Sequence, residues 1–272
     1  RFLRARKQTH SVKSFIQYTK DMWKSRDLLL YLVTSGLKAD TRNTFLGYFW
    51  WLLDPALYVA VFAFIRVILI GREGENLIAF LAVGLVVFQN FSQSLTGSAG
   101  SISSKASIIT QVYLPKAMFP FGVVLTQLMN FAFGLVVVAL ILAMSGIVPG
   151  PELAWLPYLI LVQVLLHLAM GLVMAYAAAF VKDLQRVLSY VVRVLRFTSP
   201  ILWEVERVPE NIEWILDYNP LAWLVIAYRD VLMYGNTPDV ELMSLLGGGS
   251  LLITLLMLVY YAFNEHRIIK VL

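Results

Sequence analysis

The residues that could perform chemistry in this 272-residue sequence are few. The densest group of carboxylates follows Trp203 and consists of Glu204, Glu206, Glu210, Glu213 and Asp217. Paired carboxylates can serve as a general acid and a general base, so this group raises the possibility of a hydrolase. Solvated charges and acidic helix starts account for the same group more simply, and we favour that interpretation.

The sequence predicts neither a nucleotide site nor a metal site. It contains no G-x-x-x-x-G-K-[ST] pattern, and the run 247–250 leads into an apolar segment without a lysine. His10, His167 and His266 are far apart, which disfavours a histidine metal site, and the chain has no cysteine for a thiolate site. We therefore expect no catalytic site, no metal and no cofactor in this chain.

Four polar side chains interrupt apolar segments, where lipid would disfavour them. Arg193 and Arg196 lie three residues apart, near one helical face. They either bind phosphate groups or extend along the helix to pair with its carbonyls. Gln163 and His167 are one turn apart; they either join a polar pathway or make an interhelical hydrogen bond, and we favour the bond.

Membrane-spanning helices are the elements that must position these residues. The chain is 59% apolar and 14% charged, whereas a soluble domain carries about 25% charged residues. Its apolar residues concentrate in segments close to the roughly 20 residues that cross a bilayer. We predict an all-α polytopic membrane protein with six transmembrane helices, at about 50–70, 77–97, 119–145, 153–181, 187–203 and 246–264. Asp54 is expected to cap a helix that begins at Pro55.

Two further segments have helical patterns. Apolar residues at helical spacing in 11–33, with lysines between them, predict an amphipathic helix at the membrane interface within an N-terminal region, 1–45. Residues 46–272 form the transmembrane domain. Before the sixth span, the segment 204–245 predicts two short re-entrant helices, preceded by Pro209 and Pro220.

The distribution of positive charge predicts the orientation in the membrane. With six spans, one side carries sixteen Lys and Arg residues, ten of them before residue 43, and the other side carries three. Because cytoplasmic loops are enriched in Lys and Arg, we expect both termini in the cytoplasm.

Several motifs follow one another along the chain. Residues 37–55 read LKADTRNTFLGYFWWLLDP. This segment resembles the entry motif of ABC-2 type polysaccharide exporter permeases, which reads approximately L-K-x-R-Y-x-x-T-x-L-G-x-x-W-x-x-L-x-P. The later pieces are VYLPK (112–116), VKDLQ (181–185), SPILW (199–203), NPL (219–221) and YRD (228–230). The pieces at 182–185 and 199–203 look closest to the wall teichoic acid branch, the translocation permeases of that polymer. Asp40 and Thr41 stand where the family has Arg-Tyr.

This resemblance implies a homodimer in the plasma membrane with two ABC ATPase subunits, on which ATP and Mg act. The cargo it implies is a polyprenyl-pyrophosphate-linked anionic polymer, with wall teichoic acid as the first expectation. O-antigen or capsular polysaccharide is the alternative. A membrane enzyme acting on polyprenyl phosphate and a permease for a small drug or lipid stay open, and no nucleic acid partner is expected.

The resemblance and the residue types together assign three sets of candidate residues. Those expected to couple the chain to the ATPase are Leu37, Lys38, Arg42, Leu46, Gly47, Ser103, Lys105, Tyr113, Pro115, Lys116, Lys182 and Asp183. Those expected to line the substrate path are Tyr58, Phe62, Phe88, Gln89, Phe91, Arg193, Arg196, Phe197 and Trp203. Those expected to attract the lipid carrier are Lys13, Lys20, Lys24 and Arg26.

Overall fold

The computed structural model describes residues 15–41, 44–66, 76–205 and 214–272, and these ranges are helical with no β-strand. The α-helices are α1 (Phe15–Lys24), α2 (Arg26–Thr41), α3 (Trp50–Phe64), α4 (Leu77–Ser101), α5 (Ala106–Ile109), α6 (Met118–Met144), α7 (Leu156–Phe180), α8 (Leu184–Thr198), α9 (Trp214–Asp217), α10 (Pro220–Arg229) and α11 (Val240–Ile269). Three 3-10 turns (Gly47–Phe49, Ser103–Lys105, Pro151–Trp155) and a π-helical turn (Asp230–Tyr234) connect them. The all-α expectation is confirmed for the described residues.

Five helical segments of the described chain are long and apolar enough to cross a membrane. They are Gly47–Phe64, Leu77–Ser101, Met118–Met144, Pro151–Phe180 and Val240–Ile269. The expected span at 187–203 corresponds to α8, which has 15 residues. Because Arg186, Arg193 and Arg196 recur along it, α8 lacks the continuous apolar length of the other five.

Helix α8 nevertheless extends along most of α4. At its start, the Gln185 side chain donates to the carbonyl of Ala99, at 3.4 Å. In the turn that follows it, the carbonyl of Ile201 accepts from the Arg229 guanidinium, which also binds the carbonyl of Phe80. Ala99 and Phe80 are near opposite ends of α4, about 28 Å apart at 1.5 Å per residue. The two ends of the bundle are called here the α1 end, at Ala99, and the α10 end, at Phe80.

Helix α4 lies at the centre of the bundle. Its residues from Leu81 to Phe88 are all buried, and α3, α6, α7, α8 and α10 pack around it. Close approach to α6 depends on Gly134, because a Cβ atom there would lie 2.6 Å from a methyl group of Val86. Small residues at such contacts allow membrane helices to approach closely, which is a main source of their packing energy.

The beginning of α3 differs from the expectation. The helix starts at Trp50, so Pro55 lies inside it and Asp54 is an exposed residue rather than a cap. The apolar residues between Trp50 and Asp54 take helical geometry directly after the Gly47–Phe49 turn, and this moves the helix start ahead of the proline. Pro55 has no N–H group, so it cannot donate to the carbonyl of Trp51.

The N-terminal segment forms two helices where one was expected. They meet at Ser25, whose N–H donates to the carbonyl of Asp21 at 3.1 Å. Helix α1 exposes Trp23 and buries Tyr18, as an amphipathic helix does. Helix α2 packs on α6, where the side chain of Leu32 covers Gly122.

Two short helices, α9 and α10, lie in the described part of the segment before α11. Asn219 begins α10: its side-chain oxygen accepts from the N–H groups of Leu221 and Ala222, at 3.1 and 3.3 Å. Pro220 follows at the first helical position, where its fixed φ suits a helix start. Pro209, the other expected start, lies outside the described residues.

We predict that Gly134→Ala lowers the thermal stability of the purified protein. The added Cβ atom would overlap with Val86, whose branched side chain has little rotamer freedom in a helix. Overpacking of this kind costs about 1–3 kcal/mol. Thermal unfolding in detergent should show a lower midpoint than the wild type.

Gly248→Ala is the matched control, because a Cβ atom at Gly248 meets nothing within 4 Å. The double variant Gly134→Ala, Val86→Ala should recover part of the loss. An unchanged midpoint for Gly134→Ala alone would contradict the packing described for α4 and α6.

Candidate functional site

An aromatic cage surrounds the side chain of Arg196. The guanidinium carbon lies 5.0 Å from the ring centre of Phe88, 5.6 Å from Phe62 and 5.7 Å from Tyr58. Tyr58 and Phe62 are themselves in edge contact at 5.2 Å. Cation–π attraction of this kind strengthens when the site is removed from water. The cage therefore joins α3, α4 and α8 and brings together four of the nine expected path residues.

The remaining path residues fall into separate environments. Phe91 is buried in the core, where it packs against the ring of His167 at 5.7 Å. Phe197 is exposed, and its carbonyl accepts from the indole N–H of Trp203 at 2.9 Å. Arg193 is exposed beside the Tyr190 ring, 5.4 Å away. Within one chain, these residues do not line a single continuous path.

A polar cavity of about 310 Å³ lies between α3, α4 and α6. We call it the α3–α4–α6 cavity. Its polar lining includes Asp54, Gln89, Gln93, Gln127 and Asn130, with Trp51 beside them. Gln89 was expected on the substrate path. Gln127 and Asn130 were missed, although two amides three residues apart in the apolar segment 119–145 are a visible signal.

Beside this cavity, three helices are joined by amide hydrogen bonds. The Asn90 side chain on α4 donates to the carbonyl of Gln127 on α6 at 2.6 Å, and it accepts from Gln163 on α7 at 2.5 Å. Of the pair expected to make an interhelical hydrogen bond, Gln163 makes it, with Asn90 as its partner, whereas the buried Nε2 of His167 has no hydrogen-bond partner among the described residues. His167 is buried one turn further along α7.

A buried junction joins the N-terminal, central and C-terminal parts of the chain at the α1 end. Glu265 on α11 accepts from the hydroxyl of Tyr113 at 2.6 Å and from the backbone N–H of Lys116 at 3.2 Å. The hydroxyl of Tyr18 on α1 accepts from the N–H of Ala117 at 3.2 Å. The Lys116 ammonium lies 4.7 Å from the Tyr113 ring centre. This α1-end junction holds residues 113–117 between α1 and α11.

The surroundings of the junction keep its tyrosines protonated. Burial, and next the hydrogen bond to Glu265, raise the pKa of Tyr113 above its ordinary value. Burial, and next the negative charge of Glu265, raise the pKa of Tyr18 likewise. Because the pKa of each tyrosine is higher in the folded than in the unfolded protein, the hydroxyls stabilise the folded state at pH values below the ordinary tyrosine pKa. This stabilisation is lost as the pH rises above that ordinary pKa. Glu265 was missed from the sequence, although an acid near a helix C-terminus is unfavourable and therefore notable.

The expected coupling residues divide into buried and exposed ones. Pro115 and Lys116 are buried, and Leu37 is half-buried near the end of α2. The exposed ones are Lys38, Leu46, Lys105, Tyr113, Lys182 and Asp183. Ser103 and Gly47 are half-exposed in 3-10 turns, with Gly47 at a φ of +51°. Arg42 lies outside the described residues.

The basic residues expected to attract a lipid carrier lie on the surface of the described chain. Lys20 and Lys24 are exposed on α1, and Arg26 is exposed at the start of α2. The Arg26 guanidinium is 5.8 Å from the Trp23 ring centre. Lys13 lies outside the described residues. These three side chains therefore form a basic surface next to an exposed tryptophan.

At the α10 end, Arg229 of the YRD piece is a structural residue, a role that the sequence analysis did not assign to it. Its guanidinium binds the carbonyls of Pro200, Ile201 and Phe80 and covers the Phe80 ring at 3.4 Å. Gly84 leaves the space for it, since a Cβ atom there would lie 2.5 Å from Nη2 of Arg229. Arg229 thus holds α10, α4 and the turn after α8 together.

Of the five acids considered for hydrolysis, two are described by the structure. Glu204 is half-buried and Asp217 is exposed, while Glu206, Glu210 and Glu213 lie outside the described ranges. Among the described residues, no group of three His, Cys, Asp or Glu side chains is arranged to hold a metal ion.

Comparison with known families matches residues 27–233 to the ABC-2 type transporter. This chain belongs to the ABC-2 type transporter family. It is accordingly a multi-pass protein of the plasma membrane, in agreement with its five long apolar helices. The members of this family are the membrane subunits of transporters, which agrees with the expectation that ATP is hydrolysed elsewhere.

The chain is also similar to curated permeases along most of its length. The O-antigen export system permease protein RfbA of Klebsiella pneumoniae is 28% identical over 247 residues, covering 90% of this chain and 95% of the relative. RfbA of Myxococcus xanthus is 28% identical over 228 residues, covering 83% and 88%. The polysialic acid transport protein KpsM of Escherichia coli is 24% identical over 197 residues, covering 70% and 75%.

We predict that Glu265→Gln loosens residues 113–117 of this ABC-2 permease. The two carboxylate oxygens accept from different donors, and a glutamine has only one oxygen to offer. Hydrogen exchange followed by mass spectrometry should show faster exchange at the Lys116 amide. A lost hydrogen bond to a charged group costs about 1.5–3 kcal/mol, which corresponds to roughly 10- to 100-fold faster exchange.

Glu241→Gln is the control, because Glu241 is exposed in the first turn of the same helix. Its exchange pattern at 113–117 should match the wild type. Equal protection of Lys116 in the wild type and Glu265→Gln would show that the junction does not depend on the carboxylate.

Proposed function

We propose that this chain is the permease subunit of an ATP-driven exporter of a cell-surface polysaccharide, of the O-antigen or capsular class. The observation that carries the proposal is the similarity to O-antigen export permeases over 90% of this chain and 95% of the relative. Similarity to a polysialic acid transport protein supports the same cargo class. The sequence-based preference for wall teichoic acid finds no support among these relatives, so polysaccharide export replaces it here.

In this proposal the chain crosses the membrane six times, with both termini in the cytoplasm. Besides the five long apolar helices, the additional crossing is α8 with the turn after it, fifth in chain order, which follows α4 from Ala99 to Phe80. This length of about 28 Å approaches the roughly 30 Å hydrocarbon core of a bilayer. The α1 end is then cytoplasmic, and α9 and α10 re-enter the membrane from the outer side.

The proposed transporter contains two copies of this chain, with the path between them. The exposed face of α8 supports this arrangement, because Arg193 on that face is unfavourable against lipid. Tyr190 and Phe197 share the exposed surface with it. The rings of Tyr190 and Phe197 beside the guanidinium of Arg193 suit the binding of a glycan. The Arg196 cage holds the other face of α8 against α3.

ATPase subunits are proposed to dock at the α1 end. Lys105 and Lys182 are exposed there, on the turns that follow α4 and α7. The α1-end junction connects the segment after Lys105 to α1 and α11 by buried hydrogen bonds, from the N–H of Ala117 to Tyr18 and from the N–H of Lys116 to Glu265. A rigid shift of the 103–117 segment would therefore move α1 and α11 together, as shifts of packed helices do in switching proteins.

The decisive experiment is reconstitution of export. Proteoliposomes would contain this chain, the ABC ATPase encoded by a neighbouring gene and a polyprenyl-pyrophosphate-linked glycan. We expect glycan to become protected from an added glycosidase only when both proteins and ATP are present. Protection by this chain alone, without ATPase or ATP, would contradict the proposed function.

A membrane enzyme acting on polyprenyl phosphate is the competing function. Amide variants of Glu204, Glu206, Glu210, Glu213 and Asp217 separate the two. The exporter proposal expects ATP-dependent export to persist in these variants, whereas an enzyme would lose its activity with assembly intact.

We also predict that charge reversal at the α1 end impairs coupling. The double variant Lys105→Glu, Lys182→Glu should lower ATPase binding, because both side chains are exposed where the ATPase is proposed to dock. Each exposed ion pair contributes about 0.2–1 kcal/mol, so the two together predict a loss of roughly 2- to 30-fold. Co-purification and glycan-stimulated ATP hydrolysis measure it.

Lys270→Glu, an equal charge reversal at another exposed residue of the α1 end, is the matched control. It should bind the ATPase as the wild type does. If all three substitutions weaken binding alike, the net charge of this end would account for docking and these particular turns would not.

A further inference from the structure

The α3–α4–α6 cavity is unusual for a membrane-spanning segment, because polar side chains of long apolar helices form its walls. Gln89 and Gln93 on α4 and Gln127 and Asn130 on α6 line it within two of the long apolar helices. Polar side chains inside a membrane are costly to leave facing hydrocarbon and are typical of functional sites. The cavity is open on one side, where Asp54 and Gln93 are exposed.

Amide side chains make up most of the polar lining of this cavity, from Gln89 and Gln93 on α4 to Gln127 and Asn130 on α6. An amide both donates and accepts hydrogen bonds. Two of the lining residues also have a buried atom without a hydrogen-bond partner among the described residues: the indole Nε1 of Trp51 and the amide Oδ1 of Asn130. Because the lining offers donors and acceptors together, an occupant should both donate and accept hydrogen bonds.

We propose that the α3–α4–α6 cavity binds one neutral saccharide unit of the exported glycan; this rests on the proposed function and gives it a substrate subsite. A sugar hydroxyl donates and accepts at once, and amide side chains do the same. The carboxylate of Asp54 can accept further hydroxyl donors, and Trp51, whose ring packs against Tyr48 and Phe133, adds apolar surface to the lining. The volume of about 310 Å³ lies at the lower end of the range for small-molecule sites.

The charge of the cavity disfavours other head groups. Among its described lining residues there is no Lys or Arg, and Asp54 is the one charged side chain. A pyrophosphate or phospholipid phosphate would meet a carboxylate with no cation to offset it. An ammonium group has no acceptor capacity, so it would leave the Trp51 N–H and the donor halves of the amides unsatisfied.

Binding to single sugars tests the proposal without ATPase or lipid carrier. The full chain in phosphatidylcholine nanodiscs would be titrated with glucose, galactose, mannose and N-acetylglucosamine. Inorganic phosphate and ethanolamine serve as head-group probes. The signal is the change in fluorescence of Trp51, obtained by subtracting the fluorescence of the Trp51→Phe variant from that of the wild type. Saturation-transfer NMR on the sugar provides an independent measure of binding.

We expect at least one sugar to give a saturable response with millimolar affinity, and neither phosphate nor ethanolamine to do so. Asp54→Asn should weaken that sugar about tenfold, since it removes a charge-assisted hydrogen bond. Gln93→Leu should weaken it too; Asp54 and Gln93 are exposed, so neither change disturbs the core. Asp217→Asn, at an exposed acid outside the cavity, should bind like the wild type.

The proposal is overturned if no sugar binds, if phosphate or ethanolamine binds instead, or if Asp54→Asn and Gln93→Leu leave sugar binding unchanged. Its failure differs from failure of the proposed function. Reconstituted export without sugar binding rejects the subsite alone, and sugar binding without ATP-dependent export rejects the transport function alone.

Discussion

Burial of α4 is the constraint on which the other helices depend. This helix is surrounded on nearly every side, so the residues along it set how closely each neighbour can approach. Gly84 admits the Arg229 guanidinium, and Val86 fills the space left by Gly134. Where α4 becomes polar, at Gln89 and Asn90, its neighbours supply amides rather than methyl groups. The course of the surrounding helices therefore follows from the sequence of one buried helix.

Polar groups inside the bundle are used in two different ways. The terminal nitrogens of Arg229 donate to three backbone carbonyls, and the Asn90 amide bonds to Gln127 and Gln163, so that each side chain connects three parts of the chain. These hydrogen bonds stabilise the fold, because a buried polar group without partners is costly. The α3–α4–α6 cavity is different, since its amides and Asp54 line an open volume of about 310 Å³. Polar side chains around an open volume between membrane helices indicate a binding site.

How much of this could be predicted from sequence depends on the range of the interaction concerned. Long apolar runs predicted five of the spans, because crossing a bilayer requires only length and apolarity. The predicted start of α3 at Pro55 was wrong. An Asp-Pro pair is typical of a helix start, but packing of the preceding residues extends the helix back to Trp50. The Arg196 cage brings together Tyr58, Phe62 and Phe88, which the sequence analysis had grouped only because of their residue types. Glu265 and Tyr18 were missed because their partners are 149 and 99 residues away.

The position of the arginines explains why α8 differs from the other apolar helices. Arg196 is sheltered by three rings, whereas Arg193, one turn earlier, is exposed. With one arginine sheltered and the other exposed, α8 packs against α4 on one face and exposes a cation on another. A uniformly apolar span cannot do both. Lipid is a poor neighbour for that cation, but a hydrated path or a second copy of the chain is a favourable one. The feature that makes α8 a weak span by composition is therefore the one that suits it to border a polar path.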